Sequence, residues 1–303
     1  MTLVSPAMRA PLRNALLGGA ALALLAMLTA GTTLLGDAAR PSAAESPGAT
    51  LPPGGGSPAA AGGVLPEQSA PEPPRLAEGP DYDACLAQLR MDPEGAIARA
   101  TAWEARGGGE GARHCLALGL LAAGDAPRGA ERLERLAAAS QAPAAIRASV
   151  YAQAAQAWML AAQPDRSYGA VTLALSLVPG DAALLVDRAV AAAGLGRNAE
   201  ALIDLDQAIR QDGARVEPWV FRAAALRRLD RPDEAMRDVQ RALAMEPGNA
   251  EAMLERGILK QLKGDTAGAR RDWQQVVRLA PDSAAADLAA QNLALNEAGP
   301  RRR

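Results

Sequence analysis

Large aromatic side chains, cysteine and histidine are all scarce in this chain of 303 residues. It contains one Phe, three Tyr, four Trp, two Cys and one His. So few aromatic side chains cannot fill a thick core, and the alanine-rich hydrophobic residues instead suit thin helical layers. Two cysteines and a single histidine leave few soft ligands, which makes a metal site unfavourable. No cofactor is expected.

Catalytic signatures are missing from the sequence as well. It has no Gly-x-Ser-x-Gly elbow, no phosphate-binding Gly-Lys-Ser/Thr loop and no His-Glu-x-x-His motif. Asp204 and Asp206 lie two residues apart on a predicted helix, so they point to different sides and are interpreted as helix surface. The protein is therefore predicted not to be an enzyme. A net charge of −2 gives no basic field for nucleic acid, which is excluded as a partner.

The first 36 residues form an apolar segment that is typical of an export signal or a membrane anchor. Arg9 and Arg13 precede a run without charge that continues to Asp37. Residues 15–35 would span roughly 30 Å as a helix, enough to cross a bilayer core. This length slightly favours an uncleaved transmembrane helix in the cytoplasmic membrane, facing the periplasm. The alternative is a cleaved signal peptide with its cleavage site near Ala44, which would release a periplasmic or secreted protein.

Residues 37–80 have a different composition, rich in Pro, Gly and Ala, and show neither helical nor strand periodicity. Such a segment cannot bury enough surface to fold, so it is predicted to be a disordered linker. As a flexible coil it would span about 35 to 40 Å. The folded part would then be tethered near the membrane.

A 34-residue repeat begins at Ala148, Ala182, Val216 and Ala250 and occupies residues 148–281. Position 4 of each repeat is large, positions 8 and 20 are small, and position 32 is proline in three of the four. Two helices of about a dozen residues each can cross closely only where small side chains let their backbones approach. The spacing therefore predicts a helix-turn-helix unit, with a first and a second helix, repeated four times. Gly213 replaces the proline at position 32 of the second repeat. We expect this change to loosen the connection to the next repeat, which begins at Val216.

This pattern resembles the tetratricopeptide repeat (TPR) family, in the form found in bacterial envelope proteins. The resemblance implies an all-α, right-handed α-solenoid that acts as a protein-binding scaffold. Residues 81–147 fit two divergent repeats, with Ala96 and Gly129 at the small crossing position. Residues 282–303 are predicted to form a capping helix from Ser283 and a tail.

The two cysteines lie on the first helices of the divergent repeats, Cys85 on one and Cys115 on the next. Consecutive first helices lie side by side in this architecture, and an exported domain meets an oxidising environment. We expect a disulfide between them, although two buried free thiols remain the alternative. His114 beside Cys115 makes only a poor metal site.

The resemblance also implies a binding groove on the concave face, formed by the first helices. Its predicted residues are Val186, Asp187, Val190, Glu217, Val220, Phe221, Arg227, Arg228, Glu251, Leu254, Glu255 and Ile258. The Lys and Asn residues that grip the acidic tails of chaperones in some family members are absent. An extended or helical peptide with apolar anchors is the expected partner. As alternatives, Val186, Val190 and Ile258 merely pack between helices, or the protein self-associates through the end of the stack as a homo-oligomer.

Overall fold

The computed structural model describes residues 75–298, and these contain thirteen α-helices and no strand. The helices are α1 Pro80–Gln88, α2 Pro93–Ala105, α3 Gly109–Ala122, α4 Ala126–Ala139, α5 Ala144–Leu160, α6 Pro164–Leu177, α7 Ala182–Gly194, α8 Asn198–Gln211, α9 Glu217–Arg228, α10 Pro232–Met245, α11 Ala250–Leu262, α12 Thr266–Leu279 and α13 Ala284–Ala298. The expected all-α fold is confirmed.

Polar caps and prolines set the helix boundaries. The side chains of Asp181 and Asn249 accept hydrogen bonds from backbone N–H groups three residues further on, at the starts of α7 and α11. Pro164 and Pro232 occupy the first position of α6 and α10, where a missing N–H has no cost. The expected helix-ending prolines follow the last residues of α6, α10 and α12 by two positions.

Consecutive helices pack against each other along the whole described chain, as a helical solenoid requires. Odd-numbered helices from α1 to α11 are the first helices of six pairs, and the even-numbered ones are the second helices. The small residues at positions 8 and 20 are buried where the two helices of each pair cross. These residues are Ala155, Ala189, Ala223, Gly257, Ser167, Ala201, Ala235 and Ala269.

First helices also approach the first helices of neighbouring pairs, whereas second helices pack mainly against first helices. The first helices therefore form one side of the solenoid, which we call the inner side. The second helices form the outer side. The last helix, α13, packs on both α11 and α12 and buries Ala285, Ala286 and Ala289 against them. This contact caps the C-terminal end of the stack.

Part of the predicted linker belongs to the folded region. Leu76 packs against the hydrophobic core, and Pro80 already begins α1. The predicted signal or anchor segment and the linker up to residue 74 lie outside the described residues. Among residues 75–298, no helix has both the length and the apolarity to span a bilayer.

Candidate functional site on the inner side

The twelve predicted groove residues all lie on the first helices α7, α9 and α11, but their exposure differs. Val186, Val220 and Leu254 are buried, with 6 to 8% of their surface exposed. These three side chains therefore contribute mainly to packing between helices. Val190, Phe221 and Ile258 are half-buried, and each packs against the core at its edge.

The charged groove residues divide into those already engaged within the protein and those that face solvent. Glu255 is buried and accepts hydrogen bonds from Nε and Nη2 of Arg227, the second at 3.3 Å, so this pair joins α9 to α11. Glu217 is exposed but lies 3.5 Å from Arg215, Arg228 is exposed, and Glu251 is half-buried. The side chains left to contact a ligand are thus the apolar edge residues together with these three charged groups.

Asp187 is a carboxyl in an unusual setting near the middle of the inner side. Burial raises its pKa to about 7, while a hydrogen bond to Gln156 and the nearby charge of Arg215 act in the opposite direction. Gln156 belongs to α5, so this contact joins two consecutive first helices. A carboxyl that changes its charge near neutral pH gives this surface a pH-dependent charge.

The polar contacts continue toward the N-terminal end of the inner side. Nδ1 of His114 in α3 lies 2.6 Å from the hydroxyl of Tyr82 in α1, and its Nε2 lies 2.6 Å from Oε1 of Gln153 in α5. Burial lowers the pKa of His114 and raises that of Tyr82 to about 12. At the other end, Asn296 of α13 donates to Gln261 of α11 at 3.3 Å. Side-chain contacts thus link first helices along most of the solenoid.

Sequence reasoning missed these contacts because they use different residue types in each pair. The pairing of Tyr82, His114 and Gln153 has no counterpart in the later repeats, so periodicity gives no signal for it. The position of His114 beside Cys115 indicates only a poor metal ligand. Within residues 75–298, no group of three His, Cys, Asp or Glu side chains has the arrangement of a metal site.

Cys85 and Cys115 form a disulfide in the structure, with their Cα atoms 6.3 Å apart. Both side chains are fully buried, and the bond links α1 to α3 across the first two pairs. Together with the neighbouring contact between Tyr82 and His114, it fixes the N-terminal first helices to each other.

Three bidentate ion pairs join first helices to second helices. Their residues recur at fixed positions of the repeat, in addition to the large, small and proline positions, so the sequence could have indicated them. Arginine at position 7 and aspartate at position 23 recur in the last three repeats. The structure joins them as Arg188–Asp204, Arg222–Asp238 and Arg256–Asp272, each with one nitrogen to oxygen distance of 2.7 Å and another of 2.8 Å. The interpretation of Asp204 as helix surface is therefore wrong, because its carboxylate is buried against Arg188.

Comparison with known proteins agrees with this architecture. Residues 216–259 match the family model for the tetratricopeptide repeat. These residues are the pair α9 and α10 with most of α11, and the same 34-residue pattern extends through the neighbouring pairs. Residues 216–259 are therefore a tetratricopeptide repeat, and the other pairs resemble it.

One solved structure with a similar fold is Cut9 in the APC/C hetero-tetramer Cut9–Hcn1, with 14% sequence identity and a TM-score of 0.54. The match covers 70% of this chain and 42% of that one. Another is MamA, at 13% identity and a TM-score of 0.46, covering 54% of this chain and 94% of that one. YrrB, described as a TPR protein with an unusual peptide-binding site, has 17% identity and a TM-score of 0.45, with 63% and 95% covered. At these identities the likeness to Cut9 shows the fold alone. No curated protein matches the chain.

Proposed function

We propose that this TPR protein is a non-enzymatic scaffold that binds a peptide segment of a partner protein on its inner side. The observation that carries the proposal is the series of half-buried apolar side chains Val190, Phe221 and Ile258 on three successive first helices. Apolar side chains at the edge of the core gain most from a partner that removes their remaining surface from water. The flanking charges of Glu217, Arg228 and Glu251 would set the orientation of the peptide.

Site-specific photo-crosslinking in the native cell tests this proposal. A photoreactive residue is placed at Phe221 on the inner side and, as a matched control, at the exposed Arg237 on the second helix α10. A discrete adduct that forms from Phe221 alone is expected, and mass spectrometry of the adduct identifies the partner. Equal adducts from both positions, or none from either, would show that the inner side is only packing surface.

The proposal includes a location outside the cytoplasm, either attached to the cytoplasmic membrane or released from it. Its support is the charge-free run after Arg9 and Arg13 and the buried disulfide, a bond that persists in oxidising compartments. Protease added to cells with a permeabilised outer layer should digest the exported chain. The mass of the protein recovered from membranes distinguishes a chain with an intact N-terminus from one cleaved near Ala44. Full protection from protease until the inner membrane is lysed would contradict export.

A further inference from the structure

The outer side of the solenoid carries a basic cavity of about 300 Å³ between α3 and α4. Three guanidinium groups line it, from Arg113, Arg132 and Arg135, and its apolar lining consists of Leu136 and Ala139. None of these five lining residues is acidic. In a chain with a net charge of −2, a cavity lined by three positive charges is a local exception that attracts anionic groups.

Two of these guanidinium groups are hydrogen-bonded to their own helices through Nε. Nε of Arg113 donates to the carbonyl of Gly109, and Nε of Arg135 donates to the carbonyl of Glu131. The Glu131 carboxylate lies 3.9 Å from Arg135 and is shared with Arg166 at 3.5 Å. Its charge therefore only partly offsets that of Arg135. A guanidinium whose Nε is engaged can still bind a carboxylate through its Nη1 and Nη2 groups.

A second cavity of about 590 Å³ lies between α4 and α6, next to the first. Leu173 is 49% exposed there, and a Cβ added at Gly169 would meet no atom within 4 Å. The space between the two second helices is therefore open and largely apolar. Its remaining lining residues are Glu134, Arg135, Ala138, Tyr151, Arg166 and Ala170.

Two of the three charged groups of this second cavity, Glu134 and Arg166, neutralise each other. The Glu134 carboxylate accepts from Nε1 of Trp158 at 2.8 Å and from Nη2 of Arg166 at 2.9 Å. The Arg166 guanidinium also lies 3.6 Å from the centre of the Trp158 ring, a cation–π contact. With these charges satisfied internally, the exposed residues Leu173, Ala138 and Gly169 dominate what this cavity offers a ligand.

Arg135 lines both cavities, so they form one continuous surface with a basic end and an apolar end. We propose that this surface is a second docking site, separate from the inner side, for an acidic segment of a partner protein that also carries a large apolar side chain. The two cavities lie on either side of α4, about 10 Å apart. An extended segment covers that distance in about three to four residues. The basic cavity is half-enclosed and the apolar one is shallow and open. A half-enclosed basic cavity can receive single acidic side chains, which favours a protein segment over a lipid surface.

The test uses the full chain and a fluorescein-labelled probe peptide with two adjacent glutamates, a two-residue spacer and two leucines. Fluorescence anisotropy measures its affinity for the wild type and for the double variant Arg132→Gln, Arg135→Gln. The matched control is Arg237→Gln, Arg241→Gln, which removes two exposed charges from the second helix α10. Circular dichroism establishes that both variants keep their helix content.

We expect the arginine variant to weaken binding about tenfold and the control less than about twofold, because two charge-assisted contacts are lost only in the former. Replacing the glutamates of the probe by glutamines, or its leucines by serines, should weaken binding to the wild type similarly. Higher salt should also weaken it, since Arg113 and Arg135 are exposed.

Four outcomes would overturn the inference. The first is no binding of the probe to the wild type, and the second is equal binding to both double variants. The third is binding to vesicles with anionic lipids that depends on Arg132 and Arg135 while the probe does not bind, which would make the surface a membrane contact. Loss of probe binding in Phe221→Ala but not in the arginine variant would place the probe on the inner side. That last result would reject this site while leaving the proposed function intact.

Discussion

At the scale of single residues, one guanidinium shows how burial decides the strength of an ion pair. Arg222 binds Asp238 through two nitrogens and Asp206 through a third. The Asp238 side chain is 8% exposed, whereas that of Asp206 is 47% exposed. Exposed pairs contribute little, while loss of one partner of a buried pair leaves a charge without compensation.

Replacing the two aspartates separately should therefore give unequal effects. Asp238→Ala is expected to lower the free energy of unfolding by about 1 to 2 kcal/mol, because Arg222 keeps only its exposed partner. Asp206→Ala is expected to cost less than about 0.5 kcal/mol. Urea denaturation followed by circular dichroism measures both values. Equal losses would mean that burial does not distinguish the two contacts.

Asp187 should make the stability depend on pH in a direction opposite to that of most carboxylates. Its pKa is about 7 in the folded protein and about 4 in an unfolded chain, so the folded state binds the proton more tightly. Stability from this group is therefore present at low pH and is lost as the pH rises from about 4 through about 7. Asp187→Asn removes this dependence, since an amide does not titrate.

The measurement compares the free energy of unfolding of the wild type and Asp187→Asn at pH 5.5 and at pH 8. The wild type should gain on the order of 1 kcal/mol relative to the variant at the lower pH. His114, whose pKa is lowered by burial, acts in the opposite direction below about pH 6.5, but it contributes equally to both proteins. The same difference at both pH values would show that the Asp187 pKa is not raised.

At the scale of helix pairs, the close crossing of α11 and α12 depends on the absence of one side chain. A Cβ added at Gly257 would overlap the indole ring of Trp273, which is itself buried. Gly169 provides the matched control, because it lies inside α6 and has no atom within 4 Å of an added Cβ. Both changes to alanine bring the same gain in helix propensity, about 1 kcal/mol.

We therefore expect Gly169→Ala to stabilise the protein by about 0.5 to 1 kcal/mol and Gly257→Ala to destabilise it by about 1 to 2 kcal/mol. Thermal and urea unfolding provide the comparison. If both variants were more stable than the wild type, the Trp273 ring would have room to move and the crossing would not require a glycine.

The disulfide affects one end of the solenoid. It closes a loop with a sequence separation of 30, which corresponds to about 3 to 4 kcal/mol in the chain-entropy description. Reduction should raise amide hydrogen exchange in α1 and α2 but leave α11 and α12 unchanged, since solenoid pairs contact only their neighbours. Mass analysis without reductant must find the two thiols joined. Two free thiols would reject the bond.

Helix pairs could be predicted from sequence because their determinants recur every 34 residues. The large, small and proline positions of the repeats from Ala148 onward predict the helices and their crossings directly. Gly213 differs from the pattern, yet α8 still ends two residues before it, at Gln211. Nε1 of Trp219 donates to the Gly213 carbonyl at 3.3 Å. Contacts that involve single, unrepeated residues, such as His114 with Tyr82, have no period and could not be predicted in this way.

At the scale of the whole molecule, the candidate groove was harder to predict than the fold. The family pattern identifies which positions of a first helix face the inner side, but it does not say how deeply neighbouring first helices cover them. The pattern therefore predicts the same role for Val186 and Val190, although the structure buries the first and leaves the second at the edge. Coverage depends on the angle between successive pairs, and this angle results from packing summed over the whole solenoid.

The solenoid also needs a cover at its C-terminal end. Trp273 and Val276 of the last pair are buried in one cluster with Ala285, Ala286 and Ala289 of α13. Deletion of residues 283–303 would expose this apolar surface, because α13 is the helix that covers it. A chain truncated only after residue 298 keeps α13 and serves as the control.

We expect the longer truncation to unfold at lower urea concentration, with amide exchange increased first in α11 and α12, because the loss of a neighbour weakens the adjacent pair most. Light scattering should show that it self-associates as its concentration rises, since large exposed apolar patches associate. The control truncation should behave as the full chain does. A longer truncation that stays monomeric at every concentration would mean that this end of the stack is not a surface for self-association, and it would leave the inner and outer sides as the binding surfaces of the protein.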